Sequence, residues 1–525
     1  MSKRSVSQLA VAAAMLWLVA VSALSSAGGA NAQDGSPSVG NLSLLPVLQQ
    51  LSTNLADPVR GRDIWFNNTY GGQKFFWFIQ NHPDPARRVN VGFPNVINTP
   101  RAVRFTTWGV VNDPDCTANL TGGGDVCADP NATGVVGIRK FPAPGGATMY
   151  GVSCALCHAG FDPLNPPADP NDPSWDNIHG SIGNQYLKFG AMFAVNLAPT
   201  DPRRLIFAAW PDGAVDTQLL FTDNIWNPGV VTAFWEWPDR PLFDVGVGEP
   251  QMRNGQGGED DLGPSVAAMR VYTNIGACFA ECTAPALATG QPIDVAACKA
   301  NCADFPPDQD LADVGTFLGS FRAPQYPGHE IGQLSGWGRH VFNKECRSCH
   351  DNTGGKQHVL SNDEVNPLVA DPYNATNTCR AKSMLWERGR LWAQFSSEVY
   401  KQRVEAGNRG NRSMPLGGIW ATSPFMHNQS IGVWAPANAS PEQRAVSYRI
   451  SMRELLNANR VPKINRIPVQ VGPFPPGTPT TIVFSRDPVT GAVLCDDTVE
   501  NHGHYYGSDL DEFSKTALIY WLQYQ

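Results

Sequence analysis

Two pentapeptides of this 525-residue chain carry thiols and an imidazole at a spacing that chemistry uses: Cys154-Ala155-Leu156-Cys157-His158 and Cys346-Arg347-Ser348-Cys349-His350. Two cysteines three positions apart, followed at once by histidine, is the attachment spacing of c-type haem. The thiols add to the two vinyl groups of the porphyrin, and the adjacent imidazole then falls under the iron as proximal ligand. A single match is also what chance, half a zinc knuckle or a dithiol redox pair produces, but two in one chain are far more specific. The expected cofactors are two covalently bound haem c groups, one on Cys154, Cys157 and His158, the other on Cys346, Cys349 and His350.

What each iron does depends on its other face. Two strong protein ligands make an electron carrier, whereas an open face binds oxygen or peroxide. Of ten histidines, eight remain once the proximal pair is set aside, and any one of these is more often structural than a ligand. Position singles out a few. His504, in Asn501-His502-Gly503-His504-Tyr505-Tyr506-Gly507, precedes a closing helix where a loop can reach over the second haem. Met426 and His427 compete with it, and His179 is the nearest candidate downstream of the first motif. Spacing does not choose among them.

Eight of the twelve cysteines lie outside the motifs. Cys278 and Cys282, then Cys298 and Cys302, are pairs at i,i+4 spacing, each on one face of a helix. Antiparallel stacking joins Cys278 to Cys302 and Cys282 to Cys298 in a stapled hairpin over about residues 276–304; a structural zinc site is the competing reading of these thiols. Cys116 and Cys127 bracket Gly122-Gly123-Gly124, a loop able to close, and Cys379 and Cys495 pair by elimination.

Disulfides require an oxidising compartment, and the N-terminus supplies the route. Lys3 and Arg4, the apolar run Leu9 to Val21, and Ala30-Asn31-Ala32 before Gln33 describe a cleaved secretory signal over residues 1–32. The run falls short of the roughly 20 apolar residues that span a bilayer, and no later segment reaches that length, so no membrane span is expected in the mature chain. The expected location is periplasmic or secreted. Losing Lys3 and Arg4, and no acidic residue, takes the formal net charge from -8 to -10. That balance excludes nucleic acid as a partner and favours a basic redox protein, alongside a small oxidant such as oxygen or peroxide.

Other elements must bring these groups together. A chain 42% hydrophobic and 10% aromatic buries sizeable cores, while 50 Gly and 43 Pro predict long ordered loops between few regular elements. The expected fold is mainly α with long irregular loops: two cytochrome c-type haem domains plus insertions. Its parts are the signal (1–32), an N-terminal region with the first motif and the cysteine hairpin (33–320), and a C-terminal haem domain (321–525). A helix over Ile331 to Lys344, with Leu334, Trp337 and Val341 on one stripe, delivers the second motif. The Pro/Gly-rich stretch before the first motif offers no such helix. The aromatic-dense segment opening with Gly61-Arg62-Asp63-Ile64-Trp65 is expected against a haem edge or a domain interface, and Phe234-Trp235-Glu236-Trp237 reads as ordinary core or as a haem-facing wall. Ser508 and Asp511 form an S-x-x-D box that opens a closing helix, with Leu510, Phe513, Ala517 and Trp521 on one stripe. No internal repeat is visible beyond the two motifs.

The two motifs, the segment Met414-Pro415-Leu416-Gly417-Gly418-Ile419-Trp420-Ala421-Thr422-Ser423-Pro424-Phe425-Met426-His427-Asn428 and the terminal Gly503-His504-Tyr505-Tyr506-Gly507 resemble the dihaem c-type rubber oxygenases of bacteria. That family is itself distantly similar to dihaem cytochrome c peroxidases and to the quinone-cofactor-maturing dihaem enzymes. The resemblance covers mainly residues 330–525, with weaker support around the first motif and Gly61 to Trp65. It implies that His158 is catalytic, under an open iron where oxygen or peroxide reacts. It also implies a six-coordinate second haem, ligated by His350 and His504, that relays or stores electrons. The chain departs from the family where Asn428-Gln429-Ser430 replaces Asn-Gly-Ser, and the Cys278 to Cys302 hairpin looks like an insertion. His179 over the first iron would abolish its oxygen chemistry. The alternative is then a non-catalytic periplasmic electron carrier with both haems fully ligated; a peroxidase is the third reading. Rubber as substrate does not follow from these residues.

Overall fold

The computed structural model describes residues 56–82, 88–215, 306–350, 416–426, 428–461 and 503–525, together with residues 85, 229–231, 233, 297, 300, 302, 359–360, 411–412, 485–486, 493–495 and 501. The signal, Cys278, Cys282, Cys298, Cys379, His427 and the Phe234 to Trp237 cluster lie outside the described residues.

Helices dominate. In chain order they are α1 (Pro58–Asn67), α2 (Gly72–Gln80), α3 (Phe93–Asn98), α4 (Arg101–Trp108), α5 (Ala155–His158), α6 (Phe189–Ala194), α7 (Pro202–Ala208), α8 (Asp308–Leu318), α9 (Gly332–Glu345), α10 (Arg347–His350), α11 (Pro441–Leu455) and α12 (Glu512–Leu522). Short antiparallel pairs join β1 (Cys116–Thr117) to β2 (Val126–Cys127), β3 (Ile138–Pro142) to β4 (Thr148–Val152), and β5 (Gly160–Phe161) to β6 (Ile178–His179). None of the described helices is long and apolar enough to cross a membrane.

Local chemistry sets the helix starts. The Asp57 carboxylate accepts from Val59 and Arg60 N–H at the head of α1, with Pro58 in the first turn where its missing N–H costs nothing. Ser440 and Gln443 form a reciprocal capping box on α11. The long loops after α4 are ordered by a buried ion pair as well as a disulfide. Arg104, 1% exposed, grips the Asp125 carboxylate through both terminal nitrogens and also donates to Asn112 Oδ1 and to the Gly134 and Ile97 carbonyls. Cys116 and Cys127 are disulfide-bonded, as their bracketing of the glycines predicts.

Two helix crossings organise the rest. Gly338 of α9 lies on α12 so closely that a Cβ there would sit 2.1 Å from the Ala517 carbonyl oxygen and 2.5 Å from Trp521 Cβ. Gly61 of α1 lies on α8 in the same manner, its would-be Cβ 2.0 Å from the Asp313 carbonyl oxygen and 3.0 Å from Phe317 Cβ. The crossings share a sequence, Gly61-Arg62-Asp63-Ile64-Trp65 against Gly338-Arg339-His340-Val341-Phe342, with the glycine, the β-branched residue and the aromatic buried in both. The two pentapeptides share the glycine, the arginine and this burial pattern. At the first crossing the helix and the motif are far apart in sequence, which hides the correspondence.

Two stripes also differ from expectation. α9 buries Ser335, Gly338, Val341 and Phe342, while Trp337 is 44% exposed. α12 buries Ser514, Ala517, Leu518, Ile519 and Leu522, while Phe513 is 60% exposed. Small residues at the crossing let the two backbones meet, so the buried stripe turns toward them, and Trp337 packs on Phe513 outside. The cap of α12 is Asp511, whose carboxylate accepts from the Ser514 N–H and hydroxyl, one turn later than the Ser508 box places it.

Candidate functional site

The second motif follows directly from a helix. Cys346 caps the C-terminus of α9, its N–H donating to the Phe342 carbonyl at 2.9 Å, and α10 ends on His350. The first motif reaches an equivalent place by another route. β4 runs into Ser153, whose hydroxyl donates to the Phe66 carbonyl of α1 at 2.7 Å, and α5 then carries Cys154 to His158. Trp65 of α1, fully buried, lies with its ring 5.7 Å from that of His158, and its Nε1 donates to the Gly180 carbonyl. The segment opening with Gly61 therefore packs on the first motif.

Cys154, Cys157, Cys346 and Cys349 take part in no disulfide. Burial, with the neighbouring Cys157, pushes the Cys154 thiol up to about 12; burial, with Glu345 and Cys349, does the same for Cys346. A catalytic dithiol needs a thiol lowered toward neutrality, and neither Cys154 nor Cys346 has one. Thiols held neutral in apolar surroundings suit conversion to neutral thioethers instead. Among the described residues, no three or more His, Cys, Asp or Glu side chains gather as a metal cluster.

Opposite the second motif, the His350 and His504 rings stand 6.3 Å apart between centroids, their planes 60° from each other. Two metal–imidazole bonds of about 2 Å, with two ring radii of about 1.1 Å, span about 6.2 Å. The centroid separation is therefore compatible with both imidazoles ligating one metal ion. Burial, then the neighbouring His350 and Arg460, lower His504 to about 4, so it is neutral at pH 7, the form that ligates. Its Nδ1 is buried without a hydrogen-bond partner.

The loop that presents His504 is built to do so. His504 has φ 49°, between Gly503 at 80° and Gly507 at 74°. A non-glycine residue in the left-handed region persists only where its surroundings over-determine it. Arg460, 6% exposed, supplies that constraint. Its Nε donates to the Asn501 carbonyl at 2.7 Å and one terminal nitrogen to the Leu455 carbonyl at 2.9 Å, while the other binds the Gly503 carbonyl. The guanidinium also lies 4.1 Å over the Tyr505 ring. Asn501 returns a bond from its side-chain amide to the Val461 carbonyl.

Met426 is half-buried at the edge of the C-terminal core, with φ 72° in a turn closed by the Phe425–Ile431 bridge. His179 lies on β6, paired with Gly160 two residues beyond His158. Its Nδ1 accepts the Ser181 N–H at 3.2 Å, which puts the proton of its neutral form on Nε2, and its ring packs on Phe321 at 4.6 Å. Burial lowers it to about 4 against a weaker upward pull from Asp162, so that neutral form prevails at pH 7.

A strap over residues 180–186 ties the two motif regions together. The Gly183 and Asn184 N–H groups cap the His158 and Cys157 carbonyls, Gln185 Nε2 donates to the Ala421 carbonyl, and the Tyr186 hydroxyl donates to that of Ala435. Sequence reading missed the strap, Trp65's contact with His158, and Arg460. The repeated Gly-Arg-x-(Ile/Val)-aromatic string could have located Trp65; the strap and Arg460 act through backbone carbonyls, which leave no side-chain pattern to find. No protein-family model matches the chain, and no curated protein does.

Proposed function

We propose that this chain is an exported dihaem c-type oxidoreductase. Cys346, Cys349 and His350, with His504 opposite, hold the haem that carries electrons. Cys154, Cys157 and His158 hold the haem whose other face takes up oxygen or peroxide. The observation that carries this reading is the opposed His350–His504 pair at 6.3 Å directly behind an attachment motif. A haem bound there supplies a one-electron couple that neither imidazole has alone. The protein's own contribution is to hold His504 neutral and fixed through Arg460.

Asymmetry between the two motifs supports an open face at the first. His179, the described histidine nearest that motif in sequence, accepts the Ser181 N–H on its Nδ1. The export signal and the mature charge of -10 fit a periplasmic or secreted protein that meets a basic redox partner.

The test is spectroscopic. Protein matured with haem should show two covalent haems, one low-spin with two axial imidazoles and one high-spin that forms carbon monoxide and cyanide adducts. Two low-spin haems without adducts would overturn the oxygen-reactive reading in favour of a plain electron carrier. Absence of covalent haem would overturn both.

A further inference from the structure

Tyr70 sits in a setting that the proposed haem chemistry leaves unused. It lies in the turn between α1 and α2, in the left-handed region at φ 44°, and shares one buried cluster with Trp65 and Cys154. The turn is anchored on the strand that leads to the first motif: a Cβ on Gly151 of β4 would lie 3.1 Å from Thr69 and 2.9 Å from the Gln73 nitrogen. Tyr70, 8% exposed, donates its hydroxyl to Asp310 Oδ2 at 2.8 Å, and Asp310 is itself 5% exposed. The other Asp310 oxygen is ion-paired to Arg60, whose side chain is 46% exposed. A phenol, a buried carboxylate and a solvent-facing guanidinium therefore form one line from the first motif to the surface.

The α1–α8 crossing does not need this tyrosine. Asp313, 1% exposed, already fastens it, accepting from the Asp57 N–H at 2.8 Å, from Gln309 Nε2 at 2.7 Å and from Arg60. Burial first, and then Asp310, raise the Tyr70 phenol far above its ordinary range, so it never ionises by itself. Removing an electron from such a phenol is feasible only if its proton leaves too, and a base at hydrogen-bond distance provides for that.

We propose that Tyr70 is a redox-active tyrosine that donates an electron toward the first haem while its hydroxyl proton passes to Asp310. The proposal rests on the dihaem reading. Hydrogen peroxide, the oxidant, would take up two electrons and, from solvent, two protons, and leave as two waters. Tyr70 would supply one electron and the haem group the other, leaving that group one electron more oxidised. The phenolic O–H bond breaks, a neutral tyrosyl radical remains, and the carboxylate becomes a carboxylic acid beside Arg60.

The experiment uses the full-length holoprotein, its haem content measured as the pyridine haemochrome, freeze-quenched after mixing with hydrogen peroxide and read by electron paramagnetic resonance. A tyrosyl signal is expected whose hyperfine pattern collapses on ring-deuterated tyrosine and which Tyr70→Phe abolishes without altering the resting spectra of either haem. Asp310→Asn, which keeps a hydrogen-bond acceptor but removes the base, should suppress the same signal and covers the case in which Tyr70→Phe yields no holoprotein. A sample that holds two haems and consumes peroxide, yet gives no tyrosine-derived signal or an undiminished one in both variants, overturns the proposal and leaves the dihaem reading standing. A sample without haem overturns that reading and the proposal with it.

Discussion

Arg460→Met tests how the second site holds its ligand. The arginine donates to the Leu455, Asn501 and Gly503 carbonyls from a buried position, and methionine has similar reach but no donor. Each buried carbonyl left unpaired costs about 1–3 kcal/mol, so even the low end gives about 3 kcal/mol, or about two orders of magnitude in the ratio of closed to open loop. His504 adds to the imbalance because its left-handed backbone favours release once the constraint is gone. The second haem should therefore move from low spin toward high spin in the ferric state, as His504→Ala moves it completely. Exogenous imidazole should restore the low-spin spectrum in both variants, which separates loss of a ligand from collapse of the domain. Arg460→Lys should fall between, because an ammonium keeps the charge but not the planar fork that reaches three acceptors. A low-spin spectrum unchanged in Arg460→Met, with thermal stability reduced, would show that the arginine supports the fold and not the ligand.

Further outcomes follow from the crossings and the attachment thiols. Gly338→Ala gains about 1 kcal/mol of helix propensity but places a methyl 2.1 Å from the Ala517 carbonyl oxygen, a backbone atom that cannot swing aside; overpacking at about 1–3 kcal/mol wins, and the melting temperature should fall. Gly61→Ala should do the same against Asp313, and a rise in melting temperature for either would refute the crossing. Cys154→Ala and Cys349→Ala should each lose or weaken covalent attachment of one haem by mass spectrometry, and two intact covalent haems in either variant would refute the motif assignment.

The two Cys-x-x-Cys-His motifs are legible in the sequence because two thiols and an imidazole on five residues announce themselves, and the haems they would hold belong to the proposal. The helix that delivers Cys346 was legible as well, since it is contiguous with its motif, and the observed Gly332–Glu345 nearly coincides with the expected range. The first site was harder. Its helix, α1, and the motif it supports are separated by α2, α3, α4 and the loops that Arg104 and the Cys116–Cys127 disulfide hold. A stripe drawn through large apolar residues also misplaces the packed face wherever backbones meet. Ser335 and Gly338 contribute almost no hydrophobicity, yet they mark the buried side of α9 because closeness there depends on absent side-chain volume.

Seen this way, the two motif regions start from one plan and diverge at the opposite face. Both set a glycine-centred helix crossing beside a Cys-x-x-Cys-His turn. The second adds a loop bracketed by glycines and a buried arginine that donates to three carbonyls and lies over the Tyr505 ring, which holds the loop that carries His504. At the first, His179 accepts the Ser181 N–H, Trp65 packs on His158, and Tyr70, bonded to Asp310, shares a buried cluster with Cys154. A rigid two-imidazole site minimises rearrangement between oxidation states and so favours repeated electron transfer. On the proposed reading, the oxidisable side chains beside the first motif suit chemistry on an incoming molecule. The strap over residues 180–186 hydrogen-bonds to the His158 and Cys157 carbonyls on one side and to the Ala421 carbonyl on the other. The segment that follows His179 therefore continues into the contact that joins the first motif region to the second.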